Sequence, residues 1–253
     1  DHVTFEAEVV EQREELLKVI KDTLPEESNG SGTATITSTD LIYDMIMDRL
    51  SGGGFVVAHS GQTGVAAGDA ALGGDGKWAI WGRAGASTAS FTPGGVNGFD
   101  ADSWGITVGI DGELSTNFRA RLGAFYLASD VEENGAGANA TNDITGYGMT
   151  AYFSYRPNAW YMNGAFGFGT NEYDSQRRSI GGVNIANYDG TQFVARAEVG
   201  HMFTSGQWDI TPNVGLRYNR VDIDGYTETG PLPISVDGQT VESLRAVAGV
   251  NAR

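Results

Sequence analysis

The side chains able to do chemistry in this chain are carboxylates at helical spacing and guanidinium groups at strand spacing. Asp40, Asp44 and Asp48 stand at i, i+4 and i+8, which lines all three carboxylates along one face of a helix while Leu41, Ile42, Met45 and Ile46 cover other faces. Lys77, Arg83, Arg119, Arg121, Arg156, Arg196, Arg217, Arg245 and Arg253 fall on the polar side of segments that alternate with period two. Of the strand acids, Asp111, Glu198 and Asp209 clearly share that side. Facing each other, the two sets would do electrostatic rather than catalytic work, as charge-assisted and often bidentate hydrogen bonds. Facing water, the Asp stripe would be a solvated acidic surface on a helix outside the rest of the fold.

Other chemistry has little to stand on. His2, His59 and His201 are scattered, and His201 falls on an apolar register, so surface or interface histidine is the expectation. Gly52 to Gly54 and Gly94-Gly95 lack a following Lys-Ser/Thr and a βαβ context, which argues against phosphate binding. Asp130, Glu132, Glu133 and Asp143 can collect a divalent cation, but solvated loop charge is expected. We therefore expect no catalytic, cofactor-binding or metal-ligating residue and no enzyme activity. The chain has 253 residues, a formal net charge of -16, 37 glycines and no cysteine. Its acidity argues against a nucleic-acid partner, which wants a basic face. Without cysteine there is no disulfide scaffold or thiolate metal site. No stretch approaches the roughly 20 apolar residues of a spanning helix. No signal peptide stands at Asp1, so the sequence is expected to have lost one or to be an internal fragment.

The elements that would position these charges divide the chain into four regions. Residues 1–37 read as an N-terminal remnant or fused segment, with an amphipathic helix over Val3 to Leu24 and a Gly/Ser/Thr-rich linker over Glu26 to Thr37. Residues 38–51 read as a short helix capped by Ser38 or Thr39 and ended by Gly52 to Gly54. Residues 52–76 read as a Gly/Ala-rich linker, and 77–253 alternate throughout. Eight strands share an apolar face there, as in Trp104, Ile106, Val108 and Ile110 against Gly105, Thr107, Gly109 and Asp111. Their connections alternate between short (Asp111 to Asn117, Pro157-Asn158, Thr204 to Gln207) and long (Thr92 to Ala101, Ser129 to Asn142, Ser175 to Asn187, Ile223 to Gln239). Trp78, Phe118, Tyr155, Trp160, Phe203 and Trp208 sit on the apolar face beside the short turns, as an interfacial girdle requires; Trp104, Tyr126, Tyr147, Tyr188 and Tyr218 mark the other rim. A soluble barrel or sandwich would also bury large apolar side chains, but would not order its loops by length so regularly. The fold class is thus all-β, an antiparallel transmembrane barrel of the outer-membrane type, in contact with outer-membrane lipid.

If the apolar face meets lipid, the arginines look into the lumen and need counter-charges, which the Asp stripe would supply from a helix inside the barrel. Eight strands enclose only enough space for their own side chains. A lumenal helix demands more, and because Arg253 stands in mid-alternation the chain reads as lacking its last strands.

The order of Gly/Ser linker, helix Ile-Tyr-Asp-Met-Ile-Met-Asp-Arg-Leu, Gly/Ala-rich spacer and opening strand Lys77 to Ser87, continued by Trp104 to Gly109 and Ser243 to Gly249, resembles the C-terminal translocator domain of autotransporters, the type V secretion proteins. The resemblance covers about Ser38 to Arg253. It implies a twelve-stranded barrel with the helix inside, anchored in the bacterial outer membrane, which passes its own N-terminal passenger to the cell surface and is inserted by the outer-membrane barrel-assembly machinery. Some members cut their passenger at an Asn in the lumenal helix; Leu41 to Leu50 holds no Asn, so self-cleavage has no support here. The alternative expectation is a non-secretory barrel, a pore or adhesin that binds through its loops.

Overall fold

Period-two alternation makes a strand with one face for each of two environments, and here the two environments are the inside and the outside of a curled sheet. The computed structural model describes residues 30–50, 62–72, 78–92, 98–134, 140–179, 181–206 and 208–252. They form helix α1 (Gly30–Leu50) and strands β1 (Gln62–Leu72), β2 (Trp78–Phe91), β3 (Gly98–Ser115), β4 (Phe118–Asn134), β5 (Ala140–Tyr155), β6 (Trp160–Ser179), β7 (Gly182–His201), β8 (Phe203–Ser205), β9 (Trp208–Ile223), β10 (Tyr226–Thr227), β11 (Ser235–Val236) and β12 (Gln239–Ala252). One ten-stranded sheet runs β1-β2-β3-β4-β5-β6-β7-β9-β12, with β8 also paired to β9; every pairing is antiparallel and the strands follow one another in chain order. α1 touches β2, β3, β4, β5, β6, β9 and β12. A helix can meet strands from both flanks of one sheet only if the sheet wraps around it.

Outward side chains are apolar and bare: Leu122 is 65%, Phe168 58% and Leu216 55% exposed. The residues alternating with them, such as Thr107, Thr150, Asn171 and Gln192, are buried. Such an inside-out distribution fails in water and suits hydrocarbon. No helix of the described residues is long and apolar enough to cross a membrane; the strands do the crossing. The short connections are tight, with Asn158 at φ 57° and Gly206 at φ 64° supplying the left-handed residues that close them.

Four sequence expectations need correction. The stretch Gly30 to Thr37, read as linker, is helical, and Ser38 and Thr39 lie inside α1 instead of capping it. Its hydroxyls turn back onto the helix: Thr35 donates to the Ser31 carbonyl at 2.7 Å, Thr37 to Thr33 at 2.9 Å and Ser38 to Ala34 at 2.8 Å. With water excluded by the wall, those internal partners win, and the small residues let the helix approach the strands. The linker over 52–76 contains β1, paired along its length with β2. Its Gly/Ala composition hid it, because small residues carry little alternation. Two of the connections read as long, Ser129 to Asn142 and Ser175 to Asn187, are mostly strand among the described residues. β6 and β7 each continue for 20 residues, about twice the ~9–11 needed to cross a bilayer at a tilt. Beyond the membrane both sheet faces can be polar, so the period fades while the ladder continues. Finally, Tyr188, assigned to the rim opposite the short turns, faces inward and is buried. The helix expected over Val3 to Leu24, Lys77, the turn at Gly52 to Gly54 and Arg253 lie outside the described residues, and nothing is described of the Trp78 side chain.

Candidate functional site: the plugged lumen

The site is the contact between α1 and the inner wall, and it has two halves. At the rim of the extended strands, Ala34 and Ile36 pack with Phe99, Val131, Ile144, Tyr173, Tyr188 and Val221. Small polar groups hold this half: Ser38 Oγ lies 2.9 Å from Ser103 Oγ, Thr35 Oγ1 lies 3.0 Å from the Tyr173 hydroxyl, and Thr39 donates to Gln192 Oε1 at 2.6 Å. Residues 224–238 fold back over the same rim. There Arg177 donates from Nε and Nη2 to the two Glu228 oxygens at 2.9 and 2.6 Å, and Tyr226 stacks on Tyr188 at 4.1 Å, which stacks on Tyr173 at 4.9 Å.

The other half lies toward the short turns and is where charge is concentrated. Asp40 accepts hydrogen bonds from Arg196 and Arg245, and Asn219 Nδ2 lies 3.4 Å from it. One turn on, Asp44 pairs with Arg217 at 3.0 Å. Asp48 is half-buried a turn further. Arg83 donates from Nη1 to the Met45 carbonyl at 2.8 Å, and Arg156 donates to the Leu50 carbonyl, so the wall caps the helix C-terminus, where cations are favoured. Arg121 reaches Asp111 of the neighbouring strand, with Nε 3.3 Å from Oδ1. Arg119 does not reach the helix; it is half exposed beside Glu113 at 3.5 Å.

One pair runs in the opposite sense and escaped the sequence reading. Arg49 of the helix clamps wall residue Asp111 from Nε at 3.0 Å and Nη2 at 2.7 Å. Asp111 also lies 3.3 Å from the Tyr152 hydroxyl, which accepts from Trp81 Nε1 at 2.6 Å. The legible signal was there: Arg49 falls in the last helical turn, and Asp111 is an inward acid at the short-turn end. Between these charges Leu41, Ile42, Tyr43, Met45, Ile46 and Leu50 pack against Trp81, Phe125, Leu127, Tyr152, Ala165 and Val194.

Outside, Tyr155, Trp160, Phe203 and Trp208 are exposed at the short-turn rim, and Phe118, partly covered, leans on Phe153 at 6.1 Å. His201 sits in this rim with its ring centroid 4.6 Å from Trp160 and 4.4 Å from Phe203. Trp104 and Tyr126 pair at 5.4 Å on the opposite rim. Among the described residues, no group of three His, Cys, Asp or Glu side chains has a geometry that could hold a metal.

Comparison with known proteins places this architecture. The model of the autotransporter beta-domain family matches residues 80–253. The translocator domain of the autotransporter NalP from Neisseria meningitidis superposes with a TM-score of 0.60 at 22% identity, over 85% of this chain and 70% of that one. Esterase EstA of Pseudomonas aeruginosa is 26% identical over 165 residues, 61% of this chain and 25% of that protein. The IgA-specific serine endopeptidase autotransporter of Neisseria gonorrhoeae is 27% identical over 139 residues, 55% of this chain and 8% of that protein. The Adhesin BmaC autotransporter of Brucella suis is 23% identical over 165 residues, 62% of this chain and 5% of that protein. The chain thus spans a quarter or less of the esterase, the endopeptidase and the adhesin. An outward apolar band, a helix threaded through a charged lumen and the family match together identify the chain as a member of the autotransporter β-domain family, an outer-membrane translocator barrel of type V secretion that moves a passenger out.

Proposed function

We propose that α1 is the final stretch of the transported polypeptide, held in the lumen as a plug once the passenger N-terminal to it has reached the cell surface. The observation that carries this is the helix direction. Its N-terminal turns pack at the rim of the extended strands and its C-terminal turn ends at the short-turn rim beside Arg156 and Asp111. The N-terminal end of α1 therefore points to the side that faces the outside in short-turned outer-membrane barrels. The packing favours a plug over an open pore, since Ile42, Tyr43 and Ile46 are fully buried.

In this reading the wall arginines hold the helix, and the barrel itself performs no catalysis. The passenger would be this protein's own upstream segment, lipid would cover the apolar band, and the barrel-assembly machinery would insert it. A peptide tag placed before Gly30 tests this by exposure to added protease on intact cells. Cleavage of the tag with the barrel protected is expected; a tag held in the periplasm by an inserted barrel refutes the proposal.

A further inference from the structure

The ion pairs of the Asp stripe do not by themselves fix how deep α1 sits. Asp40, Asp44 and Asp48 repeat every four residues. A slide of one turn, about 5.4 Å, toward the helix N-terminus brings Asp44 to the place of Asp40 and Asp48 to that of Asp44. The Asp stripe meets the wall arginines about equally well in both positions, which leaves the choice to the Arg49–Asp111 clamp, broken by such a slide, and to a packing feature that does not repeat.

Two glycines of the inner wall supply it. Gly105 on β3 lies under Ile42, and a Cβ there would come within 2.6 Å of Ile42 Cδ1. Gly167 on β6 lies under Tyr43, and a Cβ there would overlap the Tyr43 hydroxyl and approach Cζ to 3.2 Å. Consecutive helix residues point about 100° apart, so Ile42 and Tyr43 engage walls separated by β4 and β5. The Tyr43 ring is further enclosed by Phe125, edge-on at 6.3 Å, and by the Arg196 guanidinium, 5.7 Å from its centroid. Phe125 in turn lies over Gly148 and Gly169, where a Cβ would fall within 2.7 and 3.0 Å of its Cζ. In the slid position Ile46 would meet Gly105, an equal fit, but Met47 would meet Gly167. A flexible thioether can enter the gap, but it gives up the ring's contacts with Phe125 and with the Arg196 guanidinium.

We propose that Gly167 and Tyr43 form the detent that sets the axial position of the plug: the transported chain comes to rest where the Tyr43 ring drops into the gap left by the missing Cβ. Gly105 and Ile42 steady the opposite side. Tyr43 is here a positioning residue, acting through where it holds Asp40 and Asp44. The proposal rests on the plug reading above, and the test separates the two.

The chain has no cysteine, so Ser38→Cys with Ser103→Cys, replacing hydroxyls 2.9 Å apart, reports the native position as a disulfide formed in vesicle-reconstituted protein under a mild oxidant. Gly167→Ala in this background is expected to lower the initial cross-linking rate by about tenfold, because an overfilled site expels its occupant. Adding Tyr43→Ala is expected to restore most of that rate, since the small side chain no longer occupies the space of the new methyl. Tyr43→Met alone, which leaves the barrel wall intact, is expected to slow cross-linking comparably even if Gly167→Ala fails to insert. No cross-link in the otherwise unchanged chain refutes the plug itself. Efficient cross-linking that neither Gly167→Ala nor Tyr43→Met alters overturns the detent alone, as does a loss in Gly167→Ala that Tyr43→Ala does not rescue.

Discussion

Replacing Asp40 with Asn isolates what the wall charges contribute. Asp40 faces Arg196, whose side chain is 2% exposed, and Arg245, which is 44% exposed. Two unit charges about 4 Å apart attract by about 4 kcal/mol at an effective dielectric of about 20, but withdrawing both from water offsets most of this, so the intact pair is worth little against a well-packed apolar contact. Removing one partner is different, because it leaves a buried charge uncompensated at about 3–5 kcal/mol. Arg245 can turn to solvent and Asn219 can still donate nearby, which places Asp40→Asn at the lower end, about 3 kcal/mol or roughly 150-fold in the ratio of docked to undocked helix. A single cysteine at the buried position Ser38 reads that ratio as its maleimide labelling rate in vesicles, which should rise by about two orders of magnitude. Adding Arg196→Met should recover most of the protection, because no bare guanidinium is then left in the lumen. If Asp40→Asn changes labelling by no more than an ordinary surface substitution, about 0.5 kcal/mol, or if the double change is simply additive, the wall does not hold the helix by charge.

Glu228→Gln leaves Arg177 without its buried counter-charge and should release residues 224–238 at a cost of about 3 kcal/mol, seen as faster cleavage there by a broad-specificity protease; an unchanged cleavage rate would mean that Tyr226 stacking alone holds the strap. Asp102, Asp130, Asp143 and Asp174 stand directly opposite one another across β3 to β6 on the exposed outer face, where like charges destabilise. Partial burial, with Asp130 and Asp174 adding to it, raises the Asp143 carboxyl above its ordinary range. The folded form therefore keeps that proton to higher pH than the unfolded chain, and stability falls as pH rises through the folded pKa. Asp143→Asn should raise the Tm at neutral pH and flatten this acid-range dependence, and a lowered Tm would contradict it. Val214→Arg, on the exposed apolar band, should cost about 2–4 kcal/mol in urea unfolding from vesicles, whereas Val183→Arg on the extended part of β7 should cost almost nothing; equal costs would misplace the membrane.

The sequence by itself determined the class of fold and the character of the site. Period-two alternation in strands such as Trp104 to Asp111 is a local property that lipid on one side and polar lumen on the other impose residue by residue, so it survives without knowledge of neighbours. Which residues share the outer face of a strand, and that Asp40, Asp44 and Asp48 share a helix face, is legible for the same reason. Partners are another matter. That Asp40 meets Arg196 and Arg245, that Asp44 meets Arg217, and that Arg121 serves Asp111 and not the helix depends on strand register and helix depth, which bring together residues as far apart as Asp40 and Arg245. Likewise Gly30 to Thr37 is helical and 62–72 is a strand against their composition, because enclosure by the wall or pairing with β2 outweighs weak local preference. The arginines announced a charged lumen; only closure of the sheet around the helix decided which carboxylate each would hold, since a pair energy of a few kcal/mol is earned by geometry that no single segment contains.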